Sequence, residues 1–270
     1  MTLIITNYIA GSTQLLLCAF LVTWLFTLLM DGSEALSFPI GEYNGDSGNN
    51  AFGRVALWVL VSLMILFTLL TGLVHILIYA RASTVYKSNV DSGLNYIRWI
   101  EYSITATIMM FIIAVLCGIG SVDTLGLLVV ASLCCMLCGL VSESTSRSNA
   151  YASKLATLTG WLLMIACFGV ILRRFGSIVK QAEQNGRDGP PSFVWAIVIG
   201  MTTLYMSFAV IHLVHMRRQW AQGTPDVPFN NRIEQSYTIA SVISKTLLVV
   251  LVASGLFARD SGGKQQSINE

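Results

Sequence analysis

The 270-residue chain is 54% hydrophobic and only 11% charged, whereas an ordinary soluble domain is about 25% charged. Its net charge of +2 is too small to indicate a nucleic-acid partner. All six cysteines lie within apolar stretches, so we expect no disulfide framework. These features exclude a soluble globular domain and predict a membrane protein that crosses the bilayer several times.

Seven apolar stretches match the length of about 20 residues that a membrane-spanning helix needs. We therefore predict an all-α membrane protein, a single seven-helix transmembrane domain over residues 1–258 followed by a polar tail at 259–270. An odd number of spans places the loops after the second, fourth and sixth spans on the N-terminal face. Basic loop residues divide evenly between the two faces, so the positive-inside rule does not set the orientation. The predicted spans are 8–30, 51–80, 96–120, 124–141, 155–172, 191–216 and 236–258.

The loop between the first and second spans is the longest polar segment. Residues 36–40 and 42–45 are compatible with a short β-hairpin in which Asn44-Gly45 forms the turn. A solvated loop without strands is the alternative, and the residue types do not distinguish the two.

Lys245 is the only charged residue among residues 236–258, near the middle of the last predicted span. An ammonium group at the centre of a membrane helix costs about 2.5–3.5 kcal/mol even on the mildest insertion scales. Two explanations are open. Either Lys245 pairs with a buried acid, or its amine forms a Schiff base with an aldehyde, a reaction for which desolvated lysines are well suited.

Glu101 is the natural partner, because it is a carboxylate inside the third predicted span. At 1.5 Å per residue, Glu101 lies about 8 Å and Lys245 about 16 Å from the N-terminal face, a difference that a lysine side chain largely spans. Ser241 is one turn before Lys245 on the same helix face and is placed to hydrogen-bond the nitrogen. Simple helix packing by a small residue is the equal alternative for Ser241.

Several other polar residues lie towards the same face as Glu101. His75, Arg98, His212 and Glu234 are candidates for a proton-transfer network, since histidines near a buried acid can take up a proton at ordinary pH. Structural hydrogen bonding is the alternative for the histidines. Candidates to flank an apolar chromophore are Tyr102 and Met109 on the third span, Trp161 on the fifth, and Tyr205 and Phe208 on the sixth, with ordinary packing as the alternative.

The cysteines of the fourth predicted span, Cys134-Cys135-x-x-Cys138, have the spacing of a metal motif only in part. No histidine or acid lies beside them to complete a ligand set, so we predict packing and no metal site.

The arrangement of seven spans, a mid-helix lysine in the seventh and a carboxylate in the third resembles the microbial rhodopsins. The segment Arg98-Trp99-Ile100-Glu101-Tyr102-Ser103, followed by Ala106 and Met109, is similar to the third-helix signature of the heliorhodopsins. Ser241-x-x-x-Lys245 matches the pattern of their seventh helix, where common pumps have an aspartate at the serine position.

The resemblance implies a definite cofactor and arrangement. All-trans retinal would be bound to Lys245, Glu101 would be the only carboxylate counterion, and Ala106 would join the chromophore-binding residues. The N-terminus would be cytoplasmic, and the protein would be a homodimer in lipid. The first helix departs from the family pattern: some relatives have a histidine within it, and here Cys18, Thr23 and Thr27 are the candidates instead.

The residues beyond the lysine argue against an outward proton pump, which needs a second carboxylate there. Thr105, Ile108 and Ile112 follow Glu101 at one, two and three turns, and none is acidic. The expected function is a light-activated photoreceptor acting on an unknown signalling partner, with a light-gated passive proton or ion conductor as the alternative. A proton-coupled transporter using a plain Lys245–Glu101 ion pair would show no colour with retinal. No catalytic constellation is evident, so we do not expect an enzyme.

Overall fold

In the computed structural model, the described residues are 2–30, 37–39, 54–81, 83–186, 190, 192–222 and 224–266. Within these ranges the chain forms eight α-helices, one π-helical segment and two short strands. The elements are α1 (Thr2–Met30), β1 (Ser37–Pro39), β2 (Arg54–Ala56), α2 (Leu57–Leu73), the π-helical segment (Val74–Arg81), α3 (Ser83–Ser92), α4 (Tyr96–Leu116), α5 (Val122–Thr145), α6 (Ala150–Gln184), α7 (Ser192–Ala221) and α8 (Val227–Gln266).

Seven helical spans of the described chain are long and apolar enough to cross a membrane, which confirms the predicted seven-helix architecture. They are α1, α2 with the start of the π-helical segment, and α4 to α8. Large apolar side chains such as Leu16, Leu127 and Leu162 are exposed on the outside of the bundle. Exposed apolar surface of this kind suits lipid rather than water. The fold is that of a multi-pass integral membrane protein.

Polar residues cap the starts of three helices, and two of these helices, α5 and α6, begin before the apolar stretches that predict them. The side chains of Asn95, Ser121 and Asn149 accept hydrogen bonds from the backbone N–H groups three residues later, at the starts of α4, α5 and α6. Hydropathy alone places the start of α6 at residue 155, whereas its cap places it at Ala150. The last helix likewise continues to Gln266, into the segment predicted as a polar tail.

The third span ends earlier than predicted, at Leu116 instead of residue 120. Gly118 adopts a φ of 78°, a left-handed conformation that glycine takes without steric cost. Its backbone N–H donates to the Val115 carbonyl and so closes the helix end.

The hydropathy pattern does not predict α3, a ten-residue polar helix between the second and third spans. Its buried Tyr86 stacks on Tyr79 of the π-helical segment, with 4.3 Å between the ring centroids. Burial of the Tyr86 hydroxyl raises its pKa well above the usual value. This helix covers the part of the bundle where His75 lies.

The predicted β-hairpin in the first loop is not borne out. Residues 37–39 do form a strand, but they pair in antiparallel fashion with residues 54–56, so that Phe38 lies opposite Val55. Residues 42–45, including the predicted Asn44-Gly45 turn, lie outside the described residues. The observed partner includes the β-branched Val55, a residue type that favours strands, whereas asparagine and glycine are poor strand formers.

Candidate functional site

Lys245 and Glu101 meet in the interior of the bundle, where α8 and α4 face each other. The Lys245 Nζ donates a hydrogen bond to Glu101 Oε1 at 2.8 Å. The two residues are only 2% and 3% exposed. An ion pair this deeply buried keeps its charges because each group compensates the other, and removal of either would strand a charge.

Two hydroxyl groups complete the surroundings of this pair. Ser241 Oγ accepts a hydrogen bond from Lys245 Nζ at 2.9 Å, and Thr71 Oγ1 donates to Glu101 Oε1 at 2.7 Å. Glu101 Oε2 has no hydrogen-bond partner among the described residues. The carboxylate therefore has one oxygen engaged twice and another that is free to accept a further donor.

An apolar pocket of about 770 Å³, measured with the space at its mouth, begins at Lys245 and extends between α4, α5, α6 and α7. Eight of the predicted chromophore-binding residues line it, and Glu101 lies behind the amine instead. The eight are Tyr102, Ala106, Met109, Trp161, Tyr205, Phe208, Ser241 and Lys245.

The aromatic lining is held in fixed orientations by contacts of its own. The Tyr205 hydroxyl donates to the Ala106 carbonyl at 2.9 Å, which ties α7 to α4. The Tyr102 ring meets the Phe208 ring edge to face, with 5.6 Å between centroids, and lies 5.3 Å from the Lys245 ammonium. The Tyr102 ring therefore presents a π-face to the amine end of the pocket, which favours a cation.

Sequence reasoning missed several lining residues. Gly139 on α5 contacts the Trp99 ring of α4 so closely that only glycine fits, because a Cβ there would lie 2.2 Å from the ring. No periodic pattern distinguishes these residues from ordinary packing, so only the assembled fold reveals them. They are Trp99, Thr105, Cys135, Met136, Gly139, Ala156, Thr157, Gly160, Met164, Ala209, His212, Tyr237 and Ser244.

The predicted proton-network residues occupy different places. His75 is buried in the π-helical segment, one turn after Thr71, and its Nδ1 lies 2.9 Å from Asn7 Oδ1 on α1. His212 lines the pocket, with its Nδ1 3.2 Å from the Tyr237 hydroxyl. His75 is thus on the Glu101 side of the pair, and His212 is on the pocket side.

Arg98 and Glu234 belong to a second buried ionic cluster. Arg98 Nη1 donates to Glu234 Oε2 and Arg98 Nη2 donates to Glu143 Oε1. His215 Nδ1 lies 3.4 Å from Glu143 Oε1. Glu143 was missed because the predicted fourth span stops at residue 141, and the helix actually continues to Thr145. We call Arg98, Glu143, Glu234 and His215 the arginine cluster.

A family model and a solved structure match most of the chain. The heliorhodopsin family model matches residues 5–257. The chain belongs to the heliorhodopsin family. Its fold is similar to the crystal structure of a thermophilic rhodopsin, with a TM-score of 0.56, 15% identity and 92% of each chain covered. No curated protein sequence matches the chain.

Membership of this family implies a retinal chromophore and a membrane-embedded protein. The residues present fit such a group. A primary amine opens onto an apolar pocket with aromatic walls, and a buried carboxylate lies within hydrogen-bonding distance of that amine. The amine can form a covalent link to an aldehyde, the walls can hold a polyene, and the carboxylate can balance a positive nitrogen.

Replacement of Arg98 by alanine should destabilise the protein, because Glu143 and Glu234 would remain buried without their cation. Loss of one partner of a buried ion pair costs about 3–5 kcal/mol. We expect a clear fall in the thermal unfolding temperature of detergent-solubilised protein. The matched control is Arg218→Ala, since Arg218 is half exposed and pairs with Asp226 at the surface. An Arg98→Ala protein no less stable than the control would contradict the structural role of the arginine cluster.

Proposed function

We propose that this heliorhodopsin is a light-activated photoreceptor that holds all-trans retinal through a Schiff base to Lys245, and that it does not pump protons outward. The observation that carries the proposal is the position of Lys245 Nζ. It lies at one end of an apolar pocket and 2.8 Å from the buried carboxylate of Glu101.

When bound, retinal supplies absorption of visible light and isomerisation. The chain's own residues do the rest. Glu101 acts as counterion and holds a proton on the Lys245 nitrogen, because an opposite charge at this distance favours the charged form. Ser241 fixes the direction of the nitrogen, and Thr71 fixes the carboxylate by donating to Oε1.

The aromatic walls position the chromophore and exclude water. Met109, Trp161, Tyr205 and Phe208 line the pocket beyond the amine, and the Tyr205–Ala106 hydrogen bond prevents its wall from moving freely. Exclusion of water strengthens the electrostatic interaction between Lys245 and Glu101.

The distribution of buried charge supports a receptor over an outward pump. On α4 and α8 beyond the pair, Thr105 is buried one turn after Glu101, and the deeper buried residues are apolar, among them Ile112, Ile113, Leu248 and Val252. Among the described buried residues, every Asp, Glu, His, Lys or Arg lies at the pair or towards the N-terminal face. Among the described buried residues of α4 and α8, no carboxylate lies on the far side of the nitrogen, where it could reload it.

We carry the cytoplasmic N-terminus, the homodimer and an unknown signalling partner over from the family resemblance as predictions.

The Schiff base predicts a specific colour test. Purified protein mixed with all-trans retinal should develop a visible absorption band, and Lys245→Arg should not. Arginine keeps the positive charge opposite Glu101 but cannot form the linkage, so the comparison isolates the amine chemistry from the ion pair. Ser244→Ala is the matched control, because Ser244 lines the pocket but bonds only to the Ser241 carbonyl. A band of wild-type position in Lys245→Arg would refute the proposal, and absence of a band in wild type would favour the transporter.

A light-gated passive conductor is the second candidate, favoured by the polar residues on one side of the pair. Asn7, His75 and Thr71 form a buried polar row leading to Glu101. Asn7 is fully buried, and its side chain interacts with the buried Tyr86 hydroxyl, which adds a further polar group to this row. This row would be half of a conduction path.

Voltage-clamp recording of cells that express the protein distinguishes the two candidates. The apolar half of the bundle predicts no steady photocurrent at any holding potential, because it offers no water path. His75→Phe should leave this result unchanged. A steady current that reverses with the proton gradient, and that falls in His75→Phe, would replace the receptor with the conductor.

A further inference from the structure

The arginine cluster is a second buried ionic site, and neither counterion balance at Lys245 nor retinal binding uses it. It lies between α4, α5, α7 and α8, with Arg98, Glu143, Glu234 and His215 all less than one-tenth exposed. A single guanidinium group, on Arg98, donates to both carboxylates.

The buried charges do not balance. Among the described buried residues the permanent cations are Arg98 and Lys245, and the carboxylates are Glu101, Glu143 and Glu234. Lys245 is engaged with Glu101, so Arg98 alone faces two carboxylates. A buried group that carries an uncompensated charge takes up or loses a proton to become neutral. The cluster is therefore one proton short of neutrality.

His215 lies beside the two carboxylates, but it does not carry the extra proton that neutralises the cluster. Gln219 Nε2 donates to the Gly93 carbonyl at 2.6 Å and lies 2.7 Å from His215 Nε2. Because the Gly93 carbonyl can only accept, the Gln219 atom that contacts it is the amide nitrogen, a donor. The same nitrogen faces His215 Nε2, so His215 Nε2 is the acceptor of that hydrogen bond. The ring consequently carries its single proton on Nδ1, which points at Glu143 Oε1 and has no conventional hydrogen bond within the described chain.

The two carboxylates differ in how many donors they receive. Glu143 faces three N–H groups: it accepts from Arg98 and from the Asn95 backbone N–H, which is 3.3 Å from Oε2, and the Nδ1 of His215 points at it from 3.4 Å without an ordinary hydrogen bond. Glu234 faces two, Arg98 and the Asn95 side-chain amide at 2.7 Å. Because donors to a carboxylate favour its ionised form, Glu143 is the better anion and Glu234 the better acid.

We propose that the arginine cluster is a second proton-binding site, with one exchangeable proton carried by Glu234 and Arg98 shared between Glu234 and Glu143. Titratable and polar groups face this site from every surrounding element. They are Tyr79 of the π-helical segment, Tyr86 of α3, Asn95 and Tyr102 at and on α4, Glu143 of α5, His212, His215 and Gln219 of α7, and Tyr237 of α8.

The site is in contact with the pocket wall. The Arg98 guanidinium lies 4.0 Å from the centre of the Tyr237 ring, and the Tyr237 hydroxyl lies 3.2 Å from His212 Nδ1. Tyr237 and His212 both line the pocket. A change in pocket shape can therefore alter how Arg98 divides its hydrogen bonds between the two glutamates. Such a change would alter the proton affinity of Glu234.

Infrared spectroscopy of the full chain without retinal tests the site, so its outcome does not depend on the proposed function. At about pH 7 ordinary carboxyl groups, with pKa values near 4, are ionised. Wild-type protein should nevertheless show the C=O stretch of one protonated carboxylic acid, which shifts in D₂O and disappears at alkaline pH. Glu234→Gln should lose the band. Glu143→Gln should lose it too, because Glu234 would then ionise opposite Arg98. Glu101→Gln, outside the cluster, should keep it.

Glu234→Asp guards against a variant that fails to fold, since it keeps a carboxyl group at the same position. It should keep a carboxylic-acid band at a changed frequency. Absence of the band in wild type would overturn the proposal. So would a band that survives in Glu234→Gln or Glu143→Gln, or one that keeps its frequency in Glu234→Asp.

Discussion

The burial of one ammonium group determines most of what is distinctive in this protein. Lys245 is placed in the middle of a membrane-spanning helix, where an isolated charge is strongly disfavoured. Its presence requires Glu101 on α4, and Glu101 in turn uses Thr71 on α2 as a donor. Three helices are thereby tied together at one depth. The pocket begins at this same amine, so the buried ion pair forms its charged end and apolar side chains form the rest of its walls.

The bundle is polar on one side of this pair and apolar on the other. His75, the arginine cluster and the Ser241 hydroxyl all lie at the pair or towards the N-terminal face, whereas beyond Thr105 the buried residues on α4 and α8 are apolar. This asymmetry lets charge rearrange on one side without a path to the other. The proposed receptor function uses this asymmetry, with proton movement confined to one half of the bundle.

Much of this could be predicted from the sequence, because the membrane imposes simple rules. Span length fixes the number of helices, and a lysine or glutamate within a span is exceptional enough to be noticed singly. Helix ends were predicted less well, since caps such as Asn149 and the left-handed Gly118 act locally and do not change hydropathy. Glu143 was missed for the same reason: it lies two residues beyond an apolar stretch, where a polar residue is unremarkable. The pocket wall on α5 depends on Trp99 meeting Gly139, a contact between helices that no single-helix pattern contains.

The pairing of Lys245 with Glu101 is the central claim, and the colour of the retinal-loaded protein measures it most directly. At acidic pH, where the linkage stays protonated, Glu101→Gln should absorb at a longer wavelength than wild type. The anion stabilises positive charge near the nitrogen more in the ground state than after excitation. Its removal therefore lowers the energy difference between the two states, which lengthens the absorbed wavelength. Glu143→Gln, which removes a buried carboxylate that has no contact with Lys245, should shift the band much less. An absorption maximum of Glu101→Gln equal to that of wild type would contradict the account.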